Sequence, residues 1–124
     1  MSEWPDFYPA DCPPADAEDT DGVVFHLVTD DPMPQSDLYD TAFHREVFAG
    51  HDECLRVSLS CHRELEDSRE LMAVVPRLSD RKIARAELEP EYGKIKQTRD
   101  PSHHSLWIRD EHYSDAHQWF EVIE

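Results

Sequence analysis

A chain of 124 residues, with 39% hydrophobic and 32% charged residues, is long enough for one core and too short for two. No apolar run approaches the roughly 20 residues that a membrane-crossing helix needs. Twelve basic against 28 acidic residues give a net charge of -16, and a field of that sign disfavours direct binding to nucleic acid, whose phosphates call for Lys and Arg. The imbalance is concentrated at one end. Residues 1–44 carry eleven acids and no Lys or Arg, whereas residues 45–124 hold all twelve basic residues and seventeen acids.

Residues 1–22 form an acidic, proline-rich arm, with Pro5, Pro9, Pro13 and Pro14 favouring extended chain over a buried element. Trp4, Phe7 and Tyr8 put three aromatic rings within five residues of it. Such apolar area gains by burial, either against the chain's own body or against a partner. The arm has neither the basic start nor the apolar stretch of a secretory leader, which points to the cytoplasm. Cys12, Cys54 and Cys61 are an odd, sparse set and read as reduced thiols.

Residues 23–124 read as a single α+β domain. Val23 to Thr29, VVFHLVT, is predicted as a central strand. On its pleat His26 shares a face with Val24 and Val28, and Val23, Phe25 and Leu27 share the other. Asp30 to Gln35 is a loop by its prolines. Ser36 then suits the N-cap of a helix from Asp37 to Phe48, with Leu38 and Ala42 inward and Gly50 beyond its end. Leu55, Val57 and Leu59 alternate with Arg56, Ser58 and Ser60 as a strand does, and after Ser60 the period becomes helical. Leu65, Met72 and Val75 form the apolar stripe of that helix, widened by Leu71 and Val74, and Pro76 closes it. Lys82 to Leu88 and Lys94 to Thr98 are predicted as a strand pair joined by the reversal EPEYG. His103 to Ile108 and Trp119 to Ile123 are predicted as the last two strands. The expected architecture is a largely antiparallel sheet of five or six strands with two helices.

Residues able to carry chemistry are scattered. With only Gly22, Gly50 and Gly93 in the chain, no glycine-rich phosphate loop can form. Eight histidines invite a metal reading, but adjacent His103 and His104 point to opposite faces of a strand, and no C-x2-C or helical H-x3-H pair occurs. No metal site is therefore assigned. His103, His104 and Trp107 are candidates to line a ligand pocket. Cys61, at the expected helix start, is the cysteine with a physical reason for a lowered pKa. Trp4, Phe7, Tyr8, Asp16, Glu18 and Asp19 are the candidates for contact with a partner.

The order of a histidine-bearing strand, VFHLV, followed by a serine-bearing strand running into a helix, RVSLSCHRELEDSREL, and then further strands resembles small ADP-ribosyltransferase-like domains. The resemblance is one of element order over about half of the chain. It implies NAD as cofactor, with His26 at the ribose, Ser58 or Ser60 at the nicotinamide and Glu121 activating the transfer. The chain departs from that pattern: His26 has no adjacent glycine, the second strand has no tyrosine, and Glu121 lies close to the C-terminus. Two functional readings follow. One is an acidic, cytoplasmic protein-interaction or regulatory domain that engages, and could neutralise, a basic partner. The other is an NAD-using ADP-ribosyltransferase-like enzyme or an inactive relative of one.

Overall fold

The computed structural model describes residues 3–38 and 53–124. These build a mixed α+β fold around one antiparallel sheet of seven strands: β1 (Glu18–Asp19), β2 (Gly22–Val28), β3 (Leu59–His62), β4 (Lys82–Leu88), β5 (Gly93–Arg99), β6 (His103–Ile108) and β7 (Glu121–Val122). Among the described residues three short helices accompany it: α1 (Glu53–Arg56), α2 (Leu65–Val74) and α3 (Asp110–Tyr113). The hydrogen-bonded order is β1-β5-β6-β3-β2-β4-β7.

The expected hairpin between β4 and β5 does not form. Pairing instead runs from Val28↔Lys82 to Gly22↔Leu88 and resumes at Asp19↔Lys94 and Glu18↔Ile95. Both strands thus follow one edge of the segment 18–28, and Glu89–Tyr92 loops out between them. Thr20 holds this junction. Its amide donates to the Gly93 carbonyl at 3.1 Å and its buried hydroxyl donates to the Glu89 carbonyl at 2.6 Å. The turn-forming residues of EPEYG therefore kink one strand and do not reverse it.

Gly93 is required there by close approach. A Cβ on it would lie 1.9 Å from the Trp107 carbonyl oxygen, across the β5–β6 pair. Phe25 pairs with Arg85 on one side and His62 on the other, so β3 occupies the second edge of β2. Because β3 leads through β6 and β5 back to β1, the sheet curls towards a small barrel.

Register assigns residues to two faces. Val24, Val28, Ala84, Ala86, Leu88, Cys61, Leu106 and Ile108 share the apolar face and are all buried. Tyr113, Ala116 and Phe120 complete this core from the C-terminal segment. On the opposite face α2 lies over β2 and β3. His103–Ile108 was expected to be half buried, but Ser105 to Ile108 are buried without a break, since one face meets the core and the other is covered.

Further expectations are corrected. The alternating stretch around Leu55 and Val57 does not form a strand: Glu53–Arg56 is helical, Ser58 Oγ donates to the Leu55 carbonyl at 2.6 Å, and the strand begins at Leu59. The strand then runs through His62, because Leu59–His62 pairs in full with His103–Leu106, which delays the helix to Leu65. Val75 does close that helix ahead of Pro76, yet Val74 is 65% exposed and Ser68 is its buried residue. At the C-terminus only Glu121–Val122 is a strand, and Trp119 belongs to a 3-10 turn. Gln35–Leu38 is likewise a 3-10 turn. The remainder of the helix predicted to Phe48, with Ala42 and Gly50, lies outside the described residues.

Candidate functional site: a charge-paired arm and a buried histidine seam

The acidic arm is built into the molecule. Tyr8 is buried and its hydroxyl oxygen accepts a hydrogen bond from the Ile108 amide at 3.0 Å. Burial pushes the Tyr8 phenol above its ordinary pKa, against the opposing effect of that hydrogen bond. Trp4 stacks against Tyr8 and lies under the Arg109 guanidinium, 4.9 Å from the ring centre. Phe7 stays 47% exposed, with its edge against Tyr113. The partner candidates are thus divided: Phe7 offers surface, whereas Tyr8 belongs to the core.

The arm's carboxylates meet cations of the body. Asp16 pairs with Lys96 at 2.8 Å, Asp19 with Lys94 at 2.6 Å and Asp21 with Arg63 at 3.6 Å, and Glu3 pairs with Arg109. The Lys96 hydrogen bond holds the Asp16 carboxyl below the usual range. Glu18, on β1, is exposed.

Cys12 and Cys54 form a disulfide, with Cα atoms 5.5 Å apart. This overturns the reading of three reduced thiols, which took the odd count as evidence against pairing. Cys61 is the remaining thiol. It lies within β3 and not at a helix start, and burial pushes its pKa up to about 12, so the expected lowered pKa is also overturned.

A second polar cluster lies where α2 covers the ends of β3 and β6. His62 and His103 are cross-strand partners with ring centres 5.7 Å apart. His62 Nδ1 shares a hydrogen bond with the buried Ser68 Oγ at 2.9 Å, and His103 Nδ1 shares one with Thr98 Oγ1 at 3.0 Å. Thr98 also meets the buried Ser105 hydroxyl at 2.9 Å. Ser102 Oγ donates to Asp67 at 2.5 Å and accepts from the Glu64 amide at 3.2 Å, which fixes the start of α2. Beside the seam, Gln97 to Asp100 line an open hollow of about 330 Å³.

Among the ligand-pocket candidates, His103 faces this seam. His104 points to the opposite face, with Nδ1 bonded to the Ser102 carbonyl at 2.7 Å. Trp107 is fully buried, and its indole N–H donates to the Cys54 carbonyl at 2.9 Å. Ser68, Asp67, Ser102 and Thr98 were missed. Their only sequence signal was the shared parity of His103 and Ser105, which does not reveal what covers that face.

The residues suggested by the ADP-ribosyltransferase resemblance are not assembled around one space. His26 Nδ1 bonds to the backbone carbonyl of Ser60 at 2.6 Å, and its ring packs against Phe120. Glu121 shares a row with Arg85 and Phe25, hence the face opposite His26. Ser58 is buried with its hydroxyl bonded to Leu55. Among the described residues no three His, Cys, Asp or Glu side chains converge as a metal site, and no helix is long and apolar enough to cross a membrane.

Burial holds His62 below its ordinary pKa, with His104 and Arg99 acting in the same direction and Asp67 opposing. The folded state therefore stays neutral where the unfolded chain already binds a proton, near pH 6.5. This stabilisation is complete above that pH and declines as the pH falls towards the folded pKa. His62→Asn, which keeps a polar group near Ser68 but does not titrate, is expected to flatten the fall in unfolding free energy between pH 7 and 5. Each tenfold difference in proton affinity between the unfolded and folded chains is worth about 1.4 kcal/mol, which sets the scale of the effect. Identical pH slopes for the two proteins in urea titrations would remove this assignment.

Comparison of the chain with family models, with curated proteins and with solved structures finds no match.

Proposed function

We propose that this chain is a small acidic interaction module that recognises a protein partner carrying a basic surface. The observation that supports it most is the charge arrangement: a net of -16, with arm carboxylates that already hold the ammonium groups of Lys94 and Lys96. A partner offering several Lys or Arg side chains would meet the same carboxylates, together with the exposed arm residues Asp6 and Glu18. Neutralising such a partner is the regulatory form of this reading. Contact with nucleic acid or membrane has no part in it. The cytoplasm is included in the proposal, and there the Cys12–Cys54 bond would face reduction.

The NAD-using alternative requires His26, a serine hydroxyl and Glu121 around one ligand. Their placement on opposite faces favours the interaction reading.

An oligolysine peptide provides the test. Binding at low salt is expected to weaken at least about tenfold between 0.05 and 0.3 M salt, because exposed charges are screened over that range. Asp6→Asn combined with Glu18→Gln is expected to weaken it further at low salt. Absence of binding at 0.05 M salt, or affinity independent of salt, would refute the reading.

A further inference from the structure

The arm's contacts differ in how easily they are exchanged. The carboxylates that pair with Lys96, Lys94, Arg63 and Arg109 are 62–79% exposed, and pairs in that setting are individually weak and readily replaced by other cations. Buried Tyr8 anchors the first part of the arm, and beyond Ala17 the chain is fixed by the pairing of β1 with β5 and by buried Thr20. The covalent tie is the Cys12–Cys54 disulfide, buried at 7% and 5% exposure and closing 42 positions of chain. It joins the middle of the arm to α1, whose Cys54 carbonyl also accepts the Trp107 indole N–H.

From this arrangement we infer that residues 3–17, ahead of β1, form an autoinhibitory strap, latched by the Cys12–Cys54 disulfide, whose carboxylates become available to a basic partner when the disulfide is reduced. The inference rests on the basic-partner reading above. With the latch closed, the chain's own lysines and arginines compete for the arm at very high effective concentration. Reduction by a dithiol transfers two electrons and two protons to the protein: the S–S bond breaks, two thiols form, and the reductant closes its own disulfide. The intramolecular pairs then compete without a covalent constraint, and a multivalent cation can replace them.

Amide exchange on the full chain tests the latch, comparing the oxidised protein, the dithiothreitol-reduced protein and Cys12→Ser. The reporters are the Tyr8 amide, bonded to Pro5, and the Ala17 amide, bonded to Pro14, with Val24 and Ala86 of the β2–β4 pair as internal reference. Opening the latch is expected to speed the arm reporters by at least about tenfold more than the reference amides, and to tighten oligolysine binding at least about threefold. Equal acceleration at all four positions, or none at the arm, would overturn the proposal, as would unchanged oligolysine affinity in a chain that binds it. Selective acceleration with no oligolysine binding in either redox state would leave the latch in place and remove the basic-partner reading. If Cys12→Ser does not fold, Cys54→Ser and reduction of the wild-type chain supply the same comparison.

Discussion

Trp107→Ala is expected to lower the unfolding free energy by about 3–5 kcal/mol, the range for emptying a large aromatic site in a packed core. Trp107 is 0% exposed and lies in β6, the strand that links β5 to β3. Its indole N–H donates to the Cys54 carbonyl at 2.9 Å, so truncation also leaves a buried acceptor without this donor. Trp107→Phe separates the two effects: it keeps most of the volume and loses the hydrogen bond, and should cost about 1–3 kcal/mol. Urea titrations of the two variants decide it, and a loss below about 1 kcal/mol for the alanine variant would contradict this packing.

Gly93→Ala is expected to cost about 3 kcal/mol or more, the upper end for overpacking. The added Cβ would sit 1.9 Å from the Trp107 carbonyl oxygen, 2.9 Å from its carbon and 3.2 Å from the Ile108 Cα. All three are backbone atoms of the paired strand, so no side chain can swing aside. Relief requires β5 to move away from β6, which also disturbs the Thr20 amide bond to the Gly93 carbonyl at 3.1 Å. Since both substitutions act on the same β5–β6 contact, their effects should not add. A double-mutant cycle with Trp107→Ala is expected to show coupling of at least about 0.5 kcal/mol. A Gly93→Ala protein with wild-type stability would show that β5 and β6 do not approach this closely.

Several elements were legible from residues alone. Lys82–Leu88 and His103–Ile108 have the same bounds as predicted, and Gly22–Val28 departs by one residue at each end. In each, alternation or β-branched residues between polar turns is a local property of the strand. The faces of β2 were legible for the same reason: the pleat alone puts His26 with Val24 and Val28. The stop at Pro76 was equally local, because proline restricts the residue before it.

What failed depended on distant neighbours. EPEYG has the residues of a reversal, yet Thr20, some 70 positions earlier, bonds to both ends of it and draws β4 and β5 along one edge. Leu55 and Val57 alternate like a strand, but β3 starts only at Leu59, where it finds β6. The histidine seam was illegible because Asp67 and Ser68 come from α2 and Thr98 from β5, and only the packing of α2 and β5 about the β3–β6 pair brings them together.

By itself, then, the sequence determined strand periods, the apolar faces and the position of the acidic excess, all properties of residues close along the chain. The tertiary structure decided strand order, the Cys12–Cys54 link and the pairing of Asp16 and Asp19 with Lys96 and Lys94. The reason is physical: hydrogen bonding across strands, disulfide formation and charge pairing act between residues brought close by folding, and spacing along the chain carries almost no information about them.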